Sequence, residues 1–261
     1  MFMNPDQYRG FVLTDFDGTL APHGSNLISD ATGSAIASAR QAGFGVVCVT
    51  GRTWSMTSNI ADTEMFDAIV FNDGASLCID RQPHTASTME PDAVAKIISL
   101  AAKHDLGLFG DGFGGFEYAI DILRTMPVDS HARFLALLPK NTAASFAQIF
   151  RDYLATNALP VAVHHEKPTG NGYDVLRFSP DGVDKVSGVL ALCGASFSFA
   201  TAGAVGDHYN DESLLAKVHD SGGVPRIMGN SPEDLLPHIP RVPSVVDSGA
   251  AVAIQQMVEE L

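Results

Sequence analysis

Cysteine is scarce in this 261-residue chain, and the three cysteines form no CxxC pair. Cys48 lies inside the apolar run FGVVCVT, and Cys78 and Cys193 are far from it in the sequence. Single cysteines at such distances argue against a disulfide framework and against a zinc site. We therefore expect Cys48 in particular to be a small buried hydrophobic residue.

Basic residues are also few, with 16 Lys and Arg against 30 Asp and Glu, and the formal net charge is -14. An acidic surface repels nucleic-acid phosphates and anionic lipid, so we expect neither nucleic acid nor a membrane as a partner. The chain has no long apolar run, and its start, MFMNPDQYRG, lacks the pattern of a signal peptide. We therefore expect a cytoplasmic protein; the sequence does not indicate its oligomeric state.

Short apolar runs alternate with helical segments near both ends of the chain. Gly10–Thr14, Phe44–Val49 and Ala68–Phe71 have the composition of buried strands, and a helix is predicted over 31–41. The alternation resumes late in the chain with a predicted helix over 184–192 and predicted strands over 200–205 and 224–228. Alternating strands and helices are typical of an α/β fold with a doubly wound, Rossmann-like parallel sheet.

The middle of the chain has a different pattern. Predicted helices over 91–104 and 142–156 are mixed with short extended segments and glycine-rich stretches. This mixture predicts a smaller α+β cap domain inserted into the α/β core. We expect residues 1–80 and 181–261 to form a discontinuous core, and residues 81–180 to form the cap that selects the substrate.

The segment DFDGT directly follows the first predicted strand. A carboxylate such as that of Asp15 can attack phosphorus as a nucleophile, which divides one difficult displacement into two easier ones. A second carboxylate, that of Asp17, can protonate the leaving oxygen and later deprotonate a water molecule. Gly18 permits the sharp turn that the chain makes after the strand. The segment therefore predicts a phosphoryl-transfer site.

Two further segments carry groups that suit an anionic substrate. Thr50, Gly51 and Arg52 follow the second predicted strand, where a hydroxyl group and backbone N–H groups can bind phosphate oxygens. Lys185 begins a predicted helix, and its ammonium group can neutralise a carboxylate and a phosphoryl group together. Both features are weak alone, because a Thr-Gly pair is usually a turn and a single lysine is usually a surface charge.

The segment GDHYND follows another predicted strand and carries hard oxygen ligands. Mg²⁺ prefers one or two carboxylates together with water and phosphate oxygens, which Asp207 and Asp211 can help to supply. As an alternative, Asn210 could cap the following helix with Asp211 in its first turn, where negative charge is favoured, but this does not explain Asp207. A bound Mg²⁺ would also let an acidic protein hold an anionic substrate.

DFDGT, TGR, a lysine and GDHYND, in this order, resemble the motifs of the haloacid dehalogenase superfamily of phosphohydrolases. NDGA at 72–75 and MGNSPEDL at 228–235 are similar to its Cof-type sugar-phosphatase branch, in which the cap is inserted between the second and third motifs. NDGA stands where many of these relatives have NGA.

The resemblance implies a role for each motif residue. Asp15 is implied as the nucleophile and Asp17 as the general acid and base, with Lys185 offsetting negative charge. The groups implied to bind the phosphoryl group or to organise its site are Thr50, Gly51, Arg52 and Asn210. The implied Mg²⁺ ligands are Asp15, Asp207, Asp211 and the backbone carbonyl of Asp17.

We therefore expect a Mg²⁺-dependent phosphatase that acts on a small phosphorylated metabolite, a sugar phosphate by family resemblance, through an aspartyl-phosphate intermediate. A phosphomutase of the phosphomannomutase type remains an alternative, since such enzymes carry a similar cap. A phospho-acceptor signalling module is a second alternative. Receiver domains of that kind also combine acidic residues, a Thr and a Lys, but they are much shorter.

Overall fold

The computed structural model describes residues 3–58, 60, 63–112, 115–118, 134–139, 141–166 and 173–261. In chain order its strands are β1 (Gly10–Thr14), β2 (Phe44–Val49), β3 (Ala68–Phe71), β4 (Ser76–Ile79), β5 (Gln82–Thr85), β6 (Leu108–Gly112), β7 (Gly115–Tyr118), β8 (Phe134–Pro139), β9 (Val161–Glu166), β10 (Tyr173–Pro180), β11 (Ala202–Gly206) and β12 (Val224–Ile227). Its α-helices are α1 (Asp30–Gln41), α2 (Trp54–Thr57), α3 (Pro91–Lys103), α4 (Ala143–Thr156), α5 (Lys185–Cys193), α6 (Glu212–Asp220) and α7 (Gly249–Glu260). Short 3-10 turns occupy Pro5–Gln7, Thr63–Met65, Asn72–Gly74, Phe199–Thr201, Tyr209–Asp211 and Val245–Asp247.

A seven-stranded sheet in the order β12-β11-β1-β2-β3-β4-β5 forms the centre of the core. The pairs from β12 to β3 are parallel, and β4 runs antiparallel to β3. In β1, Leu13 is paired with Val47 of β2 and with Ala204 of β11. The predicted α/β class with a Rossmann-like sheet is therefore confirmed.

Helices cover both faces of this sheet. On one face, α5 and α6 pack through residues such as Val189 and Leu214 against Leu13 and Ala204. Gly203, next to Ala204 in β11, faces the opposite side of the sheet, because successive residues of a strand face opposite sides. There α1 and α7 contact each other, and a Cβ on Gly203 would collide with Met257 of α7. The missing side chain thus lets α7 approach β11 closely.

The ends of the core helices explain small differences from the predicted bounds. Helix α5 begins at residue 185 because Asp184 is its cap, with its Oδ1 accepting from Ser187 N at 2.8 Å. Strand β11 begins at residue 202 because Phe199–Thr201 forms a 3-10 turn. Cys48, Cys78 and Cys193 are buried and unbridged, as the sequence predicts for Cys48.

A second sheet, with the order β7-β6-β8-β10-β9, is antiparallel throughout its described pairs. Helices α3 and α4 pack on it through an apolar cluster that includes Ile97, Phe150 and Phe178. The rings of Phe150 and Phe178 meet edge to face, with centroids 4.7 Å apart. This is the α+β arrangement that the sequence predicts for the cap.

The chain divides into two compact units. One comprises Met1–Arg52, Met56–His84 and Asp184–Leu261, and the other comprises Thr53–Ser55 and Thr85–Val183. A role of residues 81–180 in substrate selection stays a prediction. Within the described part of the chain, we find no helix with the length and apolar character that a membrane crossing requires.

Candidate active site

Four loops of the core follow neighbouring parallel strands. Asp15 follows β1, Thr50 follows β2, Asn72 follows β3 and Asp207 follows β11, and these strands are adjacent in the sheet. The carboxyl ends of parallel strands lie at one edge of a sheet, where ligands bind in folds of this kind. The sheet order therefore brings the predicted motifs together.

Lys185 lies between two carboxylates of this edge. Its Nζ is 2.6 Å from Asp15 Oδ1 and 2.5 Å from Asp211 Oδ1. The Lys185 side chain is fully buried, and Asp15 and Asp211 are buried with it. A buried charge needs a close partner of opposite sign, which each group here has.

Asp211 uses its other oxygen to organise the turn that carries Asp207. Its Oδ2 accepts hydrogen bonds from the backbone N of Asp207 and of His208, each at 3.0 Å. A Cβ at Gly206 would collide with the Asp211 carboxylate, so glycine is needed at that position. Asp211, and not Asn210, occupies the N-cap position of α6, but its side-chain bonds organise the preceding 3-10 turn inside the acidic cluster.

Asp207 is held by three side chains from two loops, the one after β1 and the one after β12. His23 Nε2 lies 3.3 Å from its Oδ2, and Asn230 Nδ2 donates to the same oxygen at 3.1 Å. Thr19 Oγ1 lies 3.5 Å from Oδ1. A Cβ on Gly18 would collide with this carboxylate, and the backbone φ of Gly18 is +78°.

Crowding of acids in a buried site changes their ionisation. Burial first, and then the charges of Asp211 and Asp207, raise the pKa of Asp15 well above its usual value, although Lys185 opposes this. Burial also raises the pKa of Asp207. Burial lowers the pKa of Lys185, but its acidic neighbours outweigh this and raise it overall. The hydrogen bond to Asp207 raises the pKa of His23. Ionising all the acids of this cluster is therefore unfavourable unless a further cation balances their charge.

The donor set fits a hard divalent cation. Asp15, Asp207 and Asp211 each offer a carboxylate oxygen, and these oxygens all lie within 4.8 Å of one another. With all three carboxylates ionised, the Lys185 ammonium leaves two negative charges unbalanced. Mg²⁺ prefers such oxygen ligands and would balance this charge. Asp207 and Asp211 each accept three contacts from protein groups, so each carboxylate has few lone pairs left for a cation.

Asp17 forms a bidentate pair with Arg52. Arg52 Nε donates to Asp17 Oδ2 at 2.6 Å, and Arg52 Nη2 donates to Asp17 Oδ1 at 2.7 Å. The Arg52 side chain is only 3% exposed, whereas that of Asp17 is 27% exposed. The predicted contact of Arg52 with phosphate stays a prediction, and the structure directs this guanidinium group to Asp17.

Thr50 and Gly51 lie beside the turn that follows β3. Asp73 N donates to Thr50 O at 3.2 Å, and a Cβ at Gly51 would lie 2.8 Å from Asp73 Oδ1. Asn210 Nδ2 donates to the same Asp73 oxygen at 3.3 Å. The structure thus brings Thr50, Gly51 and Asn210 together around Asp73, whose backbone is left-handed with φ of 51°.

Several residues of the site have no role in the sequence-based prediction. Asp73 is the acidic residue of NDGA that many relatives with NGA lack, and Asn230 lies in the MGNSPEDL segment. Both therefore had a sequence signal without an assigned function. His23 and Asn26 belong to the loop PHGSN, which matches no motif. Only the tertiary contacts connect that loop with the acidic cluster.

Comparisons with known proteins identify the family and the fold. The model of the haloacid dehalogenase-like hydrolase family matches residues 12–254. A sequence comparison with curated proteins found no significant match.

Three solved structures illustrate the similarity of fold. The sugar phosphatase BT4131 of subclass IIB is 14% identical, with a TM-score of 0.72 over 95% of this chain and 98% of its own. BT1666 from Bacteroides thetaiotaomicron, a phosphatase of the same superfamily, is 16% identical, with a TM-score of 0.74 over 98% of each chain. SMU.1108c from Streptococcus mutans is 14% identical, with a TM-score of 0.77 over 96% of this chain and 99% of its own.

At these identities the solved structures show the fold, while the family model spans both ends of the core with all four motifs. The predicted resemblance is confirmed: the chain belongs to the haloacid dehalogenase-like hydrolase family.

Proposed function

We propose that this protein is a Mg²⁺-dependent phosphatase that hydrolyses a small phosphoester, of the sugar-phosphate class, through an aspartyl-phosphate on Asp15. The observation that carries the proposal is the contact of buried Asp15 with Lys185. A second carboxylate, that of Asp17, follows Asp15 two residues later in the chain. A nucleophile, a neutralising cation and a separate proton carrier are the parts that hydrolysis through a phosphoenzyme requires.

In the first step, Asp15 attacks the phosphorus atom and the bond to the leaving oxygen breaks. Lys185 Nζ, 2.6 Å from Asp15 Oδ1, lies where it reduces repulsion between the carboxylate and an incoming phosphate dianion. Asp17 donates a proton to the departing alkoxide, so that a neutral alcohol leaves. Asp17 then takes a proton from water, which attacks the aspartyl-phosphate and releases inorganic phosphate.

Asp15 and Asp207 would hold Mg²⁺, with Asp211 as a third donor through its remaining lone pair. When bound, Mg²⁺ would supply positive charge to stabilise the transferring phosphoryl group. Thr50 and Gly51 would bind phosphoryl oxygens next to this cluster. Asn210, held by Asp73 at 3.3 Å, would orient this part of the site.

The sugar-phosphate class is supported by the Cof-type motifs and by the fold shared with the sugar phosphatase BT4131. Membership in a hydrolase family favours an enzyme over a phospho-acceptor signalling module. Residues 81–180 would select among phosphoesters.

The test is phosphate release from p-nitrophenyl phosphate and from a panel of sugar phosphates, with Mg²⁺ or with EDTA. Wild type should release phosphate with Mg²⁺ and not with EDTA, and the ranking of the panel should show the preferred sugar phosphate. Isomerised phosphosugar without free phosphate would instead identify the enzyme as a phosphomutase. Release that is insensitive to EDTA would contradict the metal dependence.

A further inference from the structure

The guanidinium group of Arg52 has a protein partner at every nitrogen. Besides its two bonds to Asp17, Nη1 donates to Asn26 Oδ1 at 2.6 Å, and Nη2 donates to the backbone O of Ser25 at 2.8 Å. The guanidinium carbon also lies over the ring of Phe16, 4.2 Å from its centroid. These contacts leave Arg52 one orientation.

The backbone of Arg52 is fixed as well. Its N donates to Thr50 Oγ1 at 3.1 Å, and its carbonyl accepts from Asn72 N at 2.9 Å, which joins it to the ends of β2 and β3. Asn26, which accepts a hydrogen bond from Arg52 Nη1, belongs to the PHGSN loop, which matches no motif. A chain of contacts therefore runs from Asn26 through Arg52 to Asp17.

Bidentate pairing has a specific consequence for a carboxylate. Arginine presents two N–H groups in a rigid fork, so it fixes the plane of the carboxylate as well as its position. Each carboxylate oxygen has two lone pairs, and the described residues of the chain occupy only one on each oxygen of Asp17. A group that must transfer a proton twice in one turnover benefits from such a fixed direction.

We infer that Asn26 and Arg52 are positioning residues that orient Asp17 for proton transfer, and that Arg52 is not a phosphate ligand. The inference rests on the proposed function, since it assigns a task to two residues around the proposed proton carrier. Asn26 acts through Arg52, because its side-chain oxygen accepts from the guanidinium group.

The test compares kcat/KM for p-nitrophenyl phosphate and for the best sugar phosphate of the panel. This parameter covers the steps through departure of the leaving group, so it is insensitive to the later hydrolysis of the phosphoenzyme. The sugar alkoxide is a poor leaving group that needs a proton, whereas p-nitrophenolate needs little help. Misplacing Asp17 should therefore slow the sugar phosphate more than the aryl phosphate.

Asn26→Ala should lower kcat/KM for the sugar phosphate by about 3- to 10-fold, and for the aryl phosphate by less than about 2-fold. Asn26→Asp keeps an oxygen acceptor for Arg52. It should restore the wild-type ratio of kcat/KM between the sugar phosphate and the aryl phosphate. Arg52→Lys keeps the charge without the fork, and should lower the sugar-phosphate value by about 30- to 100-fold.

Leu27→Ala is the matched control, because Leu27 lies in the same loop and is 74% exposed. Equal losses on both substrates in Asn26→Ala, or values equal to those of Leu27→Ala, would overturn the inference while leaving the phosphatase proposal intact. If Arg52→Lys kept the wild-type ratio of kcat/KM between the two substrates, the inference would also be overturned. Absence of phosphate release by the wild type would overturn the proposed function, and the positioning roles with it.

Discussion

Lys185 Nζ lies 2.6 Å from Asp15 Oδ1, although 170 positions separate the two residues in the chain. The same ammonium group contacts Asp211, so its removal would leave two buried carboxylates without their cation. Lys185→Met should therefore lower the free energy of unfolding at neutral pH by about 3–5 kcal/mol. Urea denaturation measures this, with exposed Lys103→Met as the control, expected to change stability by less than about 0.5 kcal/mol. Equal stability of both variants would contradict a structural role for the Lys185 pairs.

Asp15→Asn should abolish turnover while the fold remains intact. The amide keeps the size and one acceptor oxygen of the carboxylate, but it is a very poor nucleophile. We expect phosphate release to fall on the order of 10,000-fold or more. Circular dichroism and thermal unfolding check the fold in the same samples. Substantial activity in a folded Asp15→Asn protein would exclude Asp15 as the nucleophile.

Gly18 and Gly24 provide a matched pair for the cation site. Both have left-handed backbones, with φ of +78° and +77°. A Cβ at Gly18 would collide with the carboxylate of Asp207, whereas at Gly24 it would meet nothing within 4 Å. Gly18→Ala should therefore weaken Mg²⁺ binding by at least about 10-fold, because Asp207 must move, while Gly24→Ala incurs only the backbone cost. Isothermal titration with Mg²⁺ measures both, and similar affinities would exclude Asp207 as a ligand.

Stabilisation by Mg²⁺ should increase with pH. Burial, with the neighbouring acids, raises the pKa of Asp15 well above 3.8, and burial raises the pKa of Asp207. The folded state then binds more protons than the unfolded state above pH 3.8, so these two acids oppose folding as pH rises. Mg²⁺ binds the ionised carboxylates and removes this penalty over the same pH range.

Thermal unfolding with Mg²⁺ and with EDTA, at several pH values, measures this effect. His23 also has a raised pKa, and its stabilising contact with Asp207 is lost as pH rises. His23→Gln removes that contribution and should leave the pH-dependent Mg²⁺ effect in place. A difference in Tm between Mg²⁺ and EDTA that stays constant across pH would count against metal binding by these carboxylates.

The strands and most helices of the core could be predicted from sequence because their signals are local. Gly10–Thr14, Phe44–Val49 and Ala68–Phe71 are strands at the predicted bounds, since short apolar runs between turn residues are typical of a parallel sheet. The errors are equally local: Asp184 caps α5 and does not belong to it, and a 3-10 turn delays β11 to residue 202. The order of the motifs was also sufficient to predict the family.

Which side chains meet was decided by the tertiary structure. Sequence reasoning did not predict that the guanidinium group of Arg52 contacts Asp17, Asn26 and Ser25. It assigned no role to His23 or Asn230, yet both contact Asp207. Such contacts depend on sheet order and on the direction of each side chain at the strand ends. Those are relations between distant segments, and local hydrophobic patterns carry no information about them.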